Sequence, residues 1–339
     1  MTDNAAGPNS SHPYEALDPD TLLSAVESFG LRCDGRILPL NSYENRVYQL
    51  GLEQGGYVVA KFYRPERWSD AVILEEHAFT LELASAEIPA VVPLRSPAGE
   101  TLANYAGFRF AVYERIGGRA PELDDPNTLL TLGRTVARIH AIGALRPFRH
   151  RPTLSVREMG QDSYQYLLNE GFVPREFVRE YRAAAEEVLA LVESEWNTTQ
   201  PRVRLRVHGD CHPGNILWTP TGPFVVDFDD CRNGPAVQDL WMFLSGDCQL
   251  MTWQMAKLLA GYREFHDFSI SELRLIEPLR SLRMLHYCAW LARRWGDPAF
   301  PRHFPWFATA HYWREQIVGL QEQVMRMQEE PIDPFGLDD

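Results

Sequence analysis

The chain has 339 residues, 45% of them hydrophobic, enough for a substantial core and more than one compact unit usually needs, so one large domain or two coupled domains is expected. Its 46 acidic and 33 basic side chains leave a formal charge of −13, which argues against a nucleic-acid partner and fits a cationic partner or an acidic soluble surface. The five cysteines, at 33, 211, 231, 248 and 288, include no CxxC pair, the N-terminus has no basic segment leading into an apolar one, and no apolar run is bilayer-length; the expectation is a cytoplasmic protein with no membrane segment, disulfide framework or structural zinc site.

Residues 1–16 are rich in Asn, Ser, Gly and Pro and are expected to be disordered, as is the acidic tail 329–339. A short helix is expected from Asp18 to Phe29, with Asp18 or Asp20 as cap. Residues 36–50 and 57–63 form two β-like runs around Gly51, Gly55 and Gly56, the pattern of a hairpin. A helix follows from about Ser69 to Ala84, on which Val72, Glu76, Phe79 and Leu83 share a stripe; a carboxylate among apolar residues calls for a partner. Pro89 and Pro93 break the chain, and VVPL, GETLANY and FRFAVYERI read as further strands. Residues 17–116 therefore read as a first lobe, a sheet with one long helix.

From about residue 121 helical spacing dominates. Leu132, Val136 and Ile139 mark one helix that stops at Gly143, residues 161–196 are helix-rich, and 237–328 return to helical patterns. Two strand-like runs, VRLRVHG and PFVVDFDD, interrupt this region, with the polar segment DCHPGNILWTPTG between them. Residues 117–328 read as a second, mainly helical lobe, and the whole as an α+β fold. The aromatic-rich strings HYCAWLARRW and PWFATAHYW are expected to serve helical packing rather than a ligand cage.

The chemistry concentrates in His208-Gly209-Asp210-Cys211-His212-Pro213-Gly214-Asn215 and in Asp227 of VVDFDD. Transfer of a phosphoryl group needs a carboxylate to accept the proton of an attacking hydroxyl, and oxygen ligands to hold magnesium against phosphates. Asp210, Asn215 and Asp227 supply that set. A zinc reading of Cys211, His212 and Cys231 has suitable ligand atoms but a spacing that matches no common closed site. Lys61 in YVVAKFY, on the strand before the helix, and Glu76 on its apolar stripe suggest an ion pair, with Glu75 as the alternative acid.

The pattern HGDxxxxN followed by a strand-borne Asp resembles the aminoglycoside phosphotransferase-like kinases of the protein-kinase-like superfamily. That resemblance implies a bilobal fold, an N-terminal antiparallel sheet plus helix and a larger helical lobe, that binds ATP and Mg2+. It implies Asp210 as base, Asn215 and Asp227 as magnesium ligands, His208 as a brace of the loop, and Asp229 as an outer contact. Lys61 would engage the α- and β-phosphates with Glu76 orienting it, and Asp239 would brace the backbone of the catalytic loop. LNSYENRVYQL holds no glycine-rich cradle; Ser42, Tyr43, Glu44 and Asn45 are the candidates to cover the nucleotide, Ser42 first among them. Tyr113, Glu114, Arg115 and Ile116 resemble the hinge whose backbone bonds adenine.

Longer strings, among them VAKFYRPERW, RVHGDCHPGNILW, DFDDCRNGPAVQDLWM and DPAFPRHFPW, resemble a bacterial stress-response branch of the family. This implies a cytoplasmic serine/threonine protein kinase, with another protein or itself as acceptor, that supports stress survival and opposes programmed cell death. The residues alone leave the acceptor open between a protein hydroxyl and that of an aminoglycoside, choline or similar small molecule. A pseudokinase is opposed by the intact Lys61, Asp210, Asn215 and Asp227.

Overall fold

In the computed structural model, which describes residues 14–335, the chain forms two compact units that interleave in sequence. The first comprises Met1–Ser69, Leu94–Arg115 and Arg293–Pro305; the second comprises Asp70–Pro93, Ile116–Ala292 and Trp306–Asp339. Most of the expected N-terminal disordered segment, residues 1–13, and the end of the tail, 336–339, lie outside the described residues. Tyr14, within that expected segment, is buried and donates its hydroxyl to the Phe62 carbonyl at 3.3 Å.

In the first unit, Asp18 accepts the Thr21 N–H at 2.8 Å and Pro19 opens α1 (Pro19–Ser28), satisfying a helix start as a short acidic side chain does best. Leu22, Ala25 and Val26 of α1 join Leu50, Ala60, Phe62, Phe110 and Val112 of the sheet in one apolar cluster. The sheet has strands β1 (Cys33–Pro39), β2 (Arg46–Leu52), β3 (Tyr57–Phe62), β4 (Ala103–Tyr105) and β5 (Phe108–Glu114), in the order β1-β2-β3-β5-β4 and antiparallel throughout. The run read as one strand over 36–50 is two, because the bend at Asn41 and the inward-held Asn45 interrupt it. VVPL forms no strand: Val91 bonds Val225 and Leu94 bonds Val112, so its backbone donors go to different units around Pro93. Arg293–Pro305, with the short helix Ala299–His303, completes this unit late in the chain.

In the second unit, α2 (Asp70–Ser85) buries Ile73, Phe79 and Leu83 on one stripe together with Glu76. The helix α3 (Pro126–Gly143) starts at Asp125, which accepts the Thr128 N–H at 2.9 Å, and stops at the expected glycine. It crosses α4 (Cys248–Tyr262) at very short range: a Cβ on Gly133 would sit 2.0 Å from the Leu258 carbonyl oxygen, and one on Gly261 2.0 Å from that of Leu130. Two further long helices, α5 (Val178–Thr199) and α6 (Ala310–Gln328), pack through Tyr181 edge-on to Trp313 at 5.6 Å between centroids. Another helix, α7 (Ile276–Arg293), contributes Leu279 to the main core. Two small ribbons frame the loop 208–215: Leu205–Val207 with Arg232–Gly234, and Ile216–Thr219 with Gly222–Val225. The strand Ile216–Thr219 lies inside the segment expected to be a polar connection; ILWT is too short for its alternation to stand out.

Candidate active site

The strand Leu205–Val207 delivers His208, Gly209 and Asp210 into a turn fixed from below by Asp239. Asp239, 1% exposed, accepts the His208 N–H at 2.6 Å on Oδ2 and the Gly209 N–H at 2.8 Å on Oδ1. His140 Nε2 approaches the same Oδ2 at 3.0 Å, and the Tyr262 hydroxyl lies 2.8 Å from His140 Nδ1. Since a carboxylate only accepts, His140 donates from Nε2 and receives the tyrosine proton at Nδ1. The buried acid is thus surrounded by donors, as a charge removed from water must be.

Gly209 has φ +85°, and a Cβ there would stand 2.3 Å from the Asp230 carbonyl oxygen, so the tight turn admits glycine alone. His208 donates from Nε2 to the Val226 carbonyl at 2.9 Å and accepts the Asp210 N–H on Nδ1 at 3.3 Å, which sets its tautomer and ties the loop to the strand before Asp227. Asn215 donates its amide to the Asp210 carbonyl at 2.9 Å, and its own carbonyl accepts the Val226 N–H at 3.0 Å. Asp227 follows, exposed and left-handed at φ +60°, a conformation that costs a non-glycine residue about 1–3 kcal/mol and is concentrated at functional sites. Asp210, Asn215 and Asp227 are therefore linked through Val226 and the loop backbone.

Two arginines that the sequence did not single out bear on this loop, Arg283 on Asp210 and Arg151 on the turn after Asp227. Arg283 of α7 donates Nη1 to Asp210 Oδ1, while His212 Nε2 stands 3.5 Å from Oδ2. Burial would raise the Asp210 pKa, but His212 and the Arg283 guanidinium outweigh it and hold the carboxyl well below the usual carboxylate range. Arg151, fully buried, donates to the carbonyls of Asp229 and Cys231, the latter at 2.6 Å, and its Nη1 lies 3.5 Å from Glu76 Oε2. Glu75 accepts the backbone N–H groups of Arg149, His150 and Arg151 at 2.7, 2.8 and 2.9 Å, so it anchors that turn.

The remaining expected residues belong to the first unit, apart from Ile116, which begins the next stretch of the second. Lys61 is buried on β3, opposite Val47 and Ala111, with Nζ 5.3 Å from the centre of the Tyr63 ring. Ser42 donates its hydroxyl to the Asn45 carbonyl at 3.2 Å, and Tyr43 packs edge-on to Phe304 at 4.8 Å. Glu44 pairs with Arg294 at 2.5 Å. Tyr113 and Glu114 end β5, the Tyr113 hydroxyl lies 3.1 Å from that of Tyr63, and Arg115 donates to Gln49 at 3.1 Å.

Asn215 and Asp227 offer hard oxygen donors of the kind magnesium takes, which completes its shell with phosphates and water rather than with a closed protein cage. No group of three or more His, Cys, Asp or Glu able to hold a metal occurs among the described residues. Burial raises the thiols of Cys211 and Cys231, which opposes the thiolate form that zinc would need. No helix among the described residues is long and apolar enough to cross a membrane.

Residues 36–276 match the model of the phosphotransferase enzyme family. The chain is 44% identical over 324 residues to stress response kinase A of Escherichia coli K12, covering 96% of this chain and 98% of that protein. It is 42% identical over 332 residues to the serine/threonine protein kinase RdoA of Salmonella typhimurium, covering 98% of each. Among solved structures, it is similar to the amicoumacin kinase hAmiN in complex with AMP-PNP, Ca2+ and Ami, with TM-score 0.69, 20% identity and coverage of 93% of this chain and 96% of that one. It is also similar to a microcompartment-associated aminopropanol kinase, with TM-score 0.68, 16% identity and coverage of 92% and 97%. These two likenesses establish a kinase-like fold.

Proposed function

Because the chain belongs to the phosphotransferase enzyme family and is a kinase, we propose that it is an ATP- and magnesium-dependent serine/threonine protein kinase that acts in bacterial stress response. The observation that carries this reading is the loop His208–Asn215, in which Asp239 fixes the backbone and Asn215 is bonded to the residue it would assist. Asp210 accepts the proton of the acceptor hydroxyl and aligns its oxygen for in-line attack. Asn215 and Asp227 hold magnesium; Lys61, oriented by Glu76, binds phosphate oxygens. Ser42 and its neighbours cover the nucleotide, and Tyr113–Ile116 contact its base. When bound, ATP supplies the phosphoryl group and magnesium offsets its charge. The residues contribute positioning and electrostatic preorganisation, the main sources of rate in this chemistry.

The relative named a serine/threonine protein kinase supports a protein acceptor, and the relative named stress response kinase A motivates the stress role. A small-molecule acceptor is the second reading, motivated by the fold neighbours named for amicoumacin and aminopropanol. Purified wild type and Asp210→Ala, given γ-labelled ATP and magnesium, should be offered a protein mixture, the enzyme itself and a panel of aminoglycosides and choline. Label on protein with wild type alone supports the proposal; label confined to a small molecule replaces it with the second reading.

A further inference from the structure

Asp210 is a weak proton acceptor while a guanidinium is bonded to it: Arg283 donates to Oδ1, and His212 stands 3.5 Å from Oδ2. An acceptor hydroxyl must reach one of these oxygens within hydrogen-bond distance. His212 is held by its own turn, where Nδ1 accepts the Gly214 N–H at 3.0 Å. Arg283 is the side chain able to move, since it comes from a separate helix, its side chain is 44% exposed, and its ion pair among the described residues goes to Asp210 alone.

A guanidinium drawn off a carboxylate needs another anion in its place, and its planar fork suits a carboxylate or phosphate best. Resting on the protein-kinase reading above, we propose that Arg283 is a specificity-determining residue: it selects a serine or threonine whose neighbouring side chain is acidic, exchanging Asp210 for that acid as the hydroxyl docks. The Arg283–Asp210 pair then serves as a lock that the right substrate opens. A cationic acceptor meets a like charge at this point and leaves the pair closed. The chain's overall charge of −13 works the other way and draws basic acceptors from a distance, but that field is screened over about 8 Å at physiological salt whereas the Arg283 contact is local.

The test uses the full chain and serine peptides identical except for Asp or Lys on both sides of the acceptor, reading the ratio of kcat/KM for the acidic and basic members. Wild type should favour the acidic peptide by about ten- to a hundredfold, the range of one charged hydrogen bond. Arg283→Lys should keep the sign of the preference, Arg283→Gln should bring the ratio near one, and Arg283→Glu should invert it. Because the ratio compares two substrates on one enzyme preparation, a partly misfolded fraction cancels from it, and the wild-type arm stands without any variant. A wild-type preference for the basic peptide, no preference, or a ratio unchanged in Arg283→Gln and Arg283→Glu overturns the inference while leaving the protein-kinase reading intact. Failure to label any peptide while a small-molecule alcohol is labelled overturns that reading and the inference with it.

Discussion

Arg151 and Glu76 meet in the interior of the second unit, Nη1 to Oε2 at 3.5 Å, and the same guanidinium donates to the carbonyls of Asp229 and Cys231. One side chain therefore ties α2 to the turn that directly follows Asp227. Replacing it by methionine removes the charge opposite Glu76 and the donors of two carbonyls, and should cost about 3–5 kcal/mol, the usual penalty for breaking a buried pair. Arg151→Lys should recover only part of this, because an ammonium lacks the fork that serves Asp229 and Cys231 together. Urea denaturation measures both; equal midpoints for wild type and Arg151→Met would contradict the account.

Asp210 and Asp227 should fail in different ways. Asp210→Ala is expected to lower single-turnover phosphoryl transfer by about 10²–10⁴, the contribution of a positioned base, with nucleotide affinity nearly unchanged. Asp227→Ala should weaken magnesium-dependent nucleotide binding as well as transfer. Titration calorimetry with a non-hydrolysable ATP analogue, with and without magnesium, separates the two variants, and identical profiles would remove the distinction between base and metal ligand.

The contribution of Asp239 is to fold rather than to chemistry. Its carboxylate accepts two backbone N–H groups and faces His140, all in the interior. Asp239→Ala leaves those donors without an acceptor, at about 1–3 kcal/mol for each buried group. A large drop in melting temperature is expected, together with faster amide exchange at His208 and Gly209 measured by mass spectrometry. Unchanged protection at those two amides would show that the loop is held some other way.

The acid limb of the rate profile should report the Arg283–Asp210 pair. Burial works against the Asp210 charge, but His212 and Arg283 prevail, so the folded-state pKa lies below the unfolded one. A depressed carboxylate contributes stability that is fully present above its unfolded pKa and is lost as pH falls through the folded value. Wild-type kcat/KM should accordingly show no loss attributable to this group where ordinary carboxylates protonate. In Arg283→Gln the acid limb should move to higher pH. A limb at the same pH in both proteins would mean that the guanidinium does not bear on the base.

What the sequence revealed follows from how local each feature is. His208, Asp210 and Asn215 lie within eight residues and bond one another inside that turn, so the motif was readable in the sequence although Asp239 and Val226, which hold the turn in place, are distant in the chain. Helices with a full apolar stripe, α2 and α3, were readable for the same reason. Arg151 and Arg283 were not. Each finds its carboxylate about 75 positions away in the chain, and an arginine in a helix rich in arginine, such as LRSLRML, carries no local mark of a partner. Glu75 and Glu76 are the same residue type on one helical turn; only the turn Arg149–Arg151, which donates three backbone N–H bonds to Glu75, gives them different tasks. Strand limits failed where the runs were short, at Ile216–Thr219, or where a proline diverted the ladder, at VVPL.

The stretch Arg293–Pro305 joins a unit otherwise built from residues before 116, and its Arg294, Asp297 and Phe304 meet Glu44, Arg46, Arg64 and Tyr43 there. On the ribosome, that unit stays incomplete until residues 293–305 have been made, and closing so long a loop makes its last contacts late and entropically costly. Truncation before residue 293 would therefore damage a unit made almost two hundred residues earlier, and nascent chains stalled there would carry the loop around Ser42 without the charges and rings that hold it.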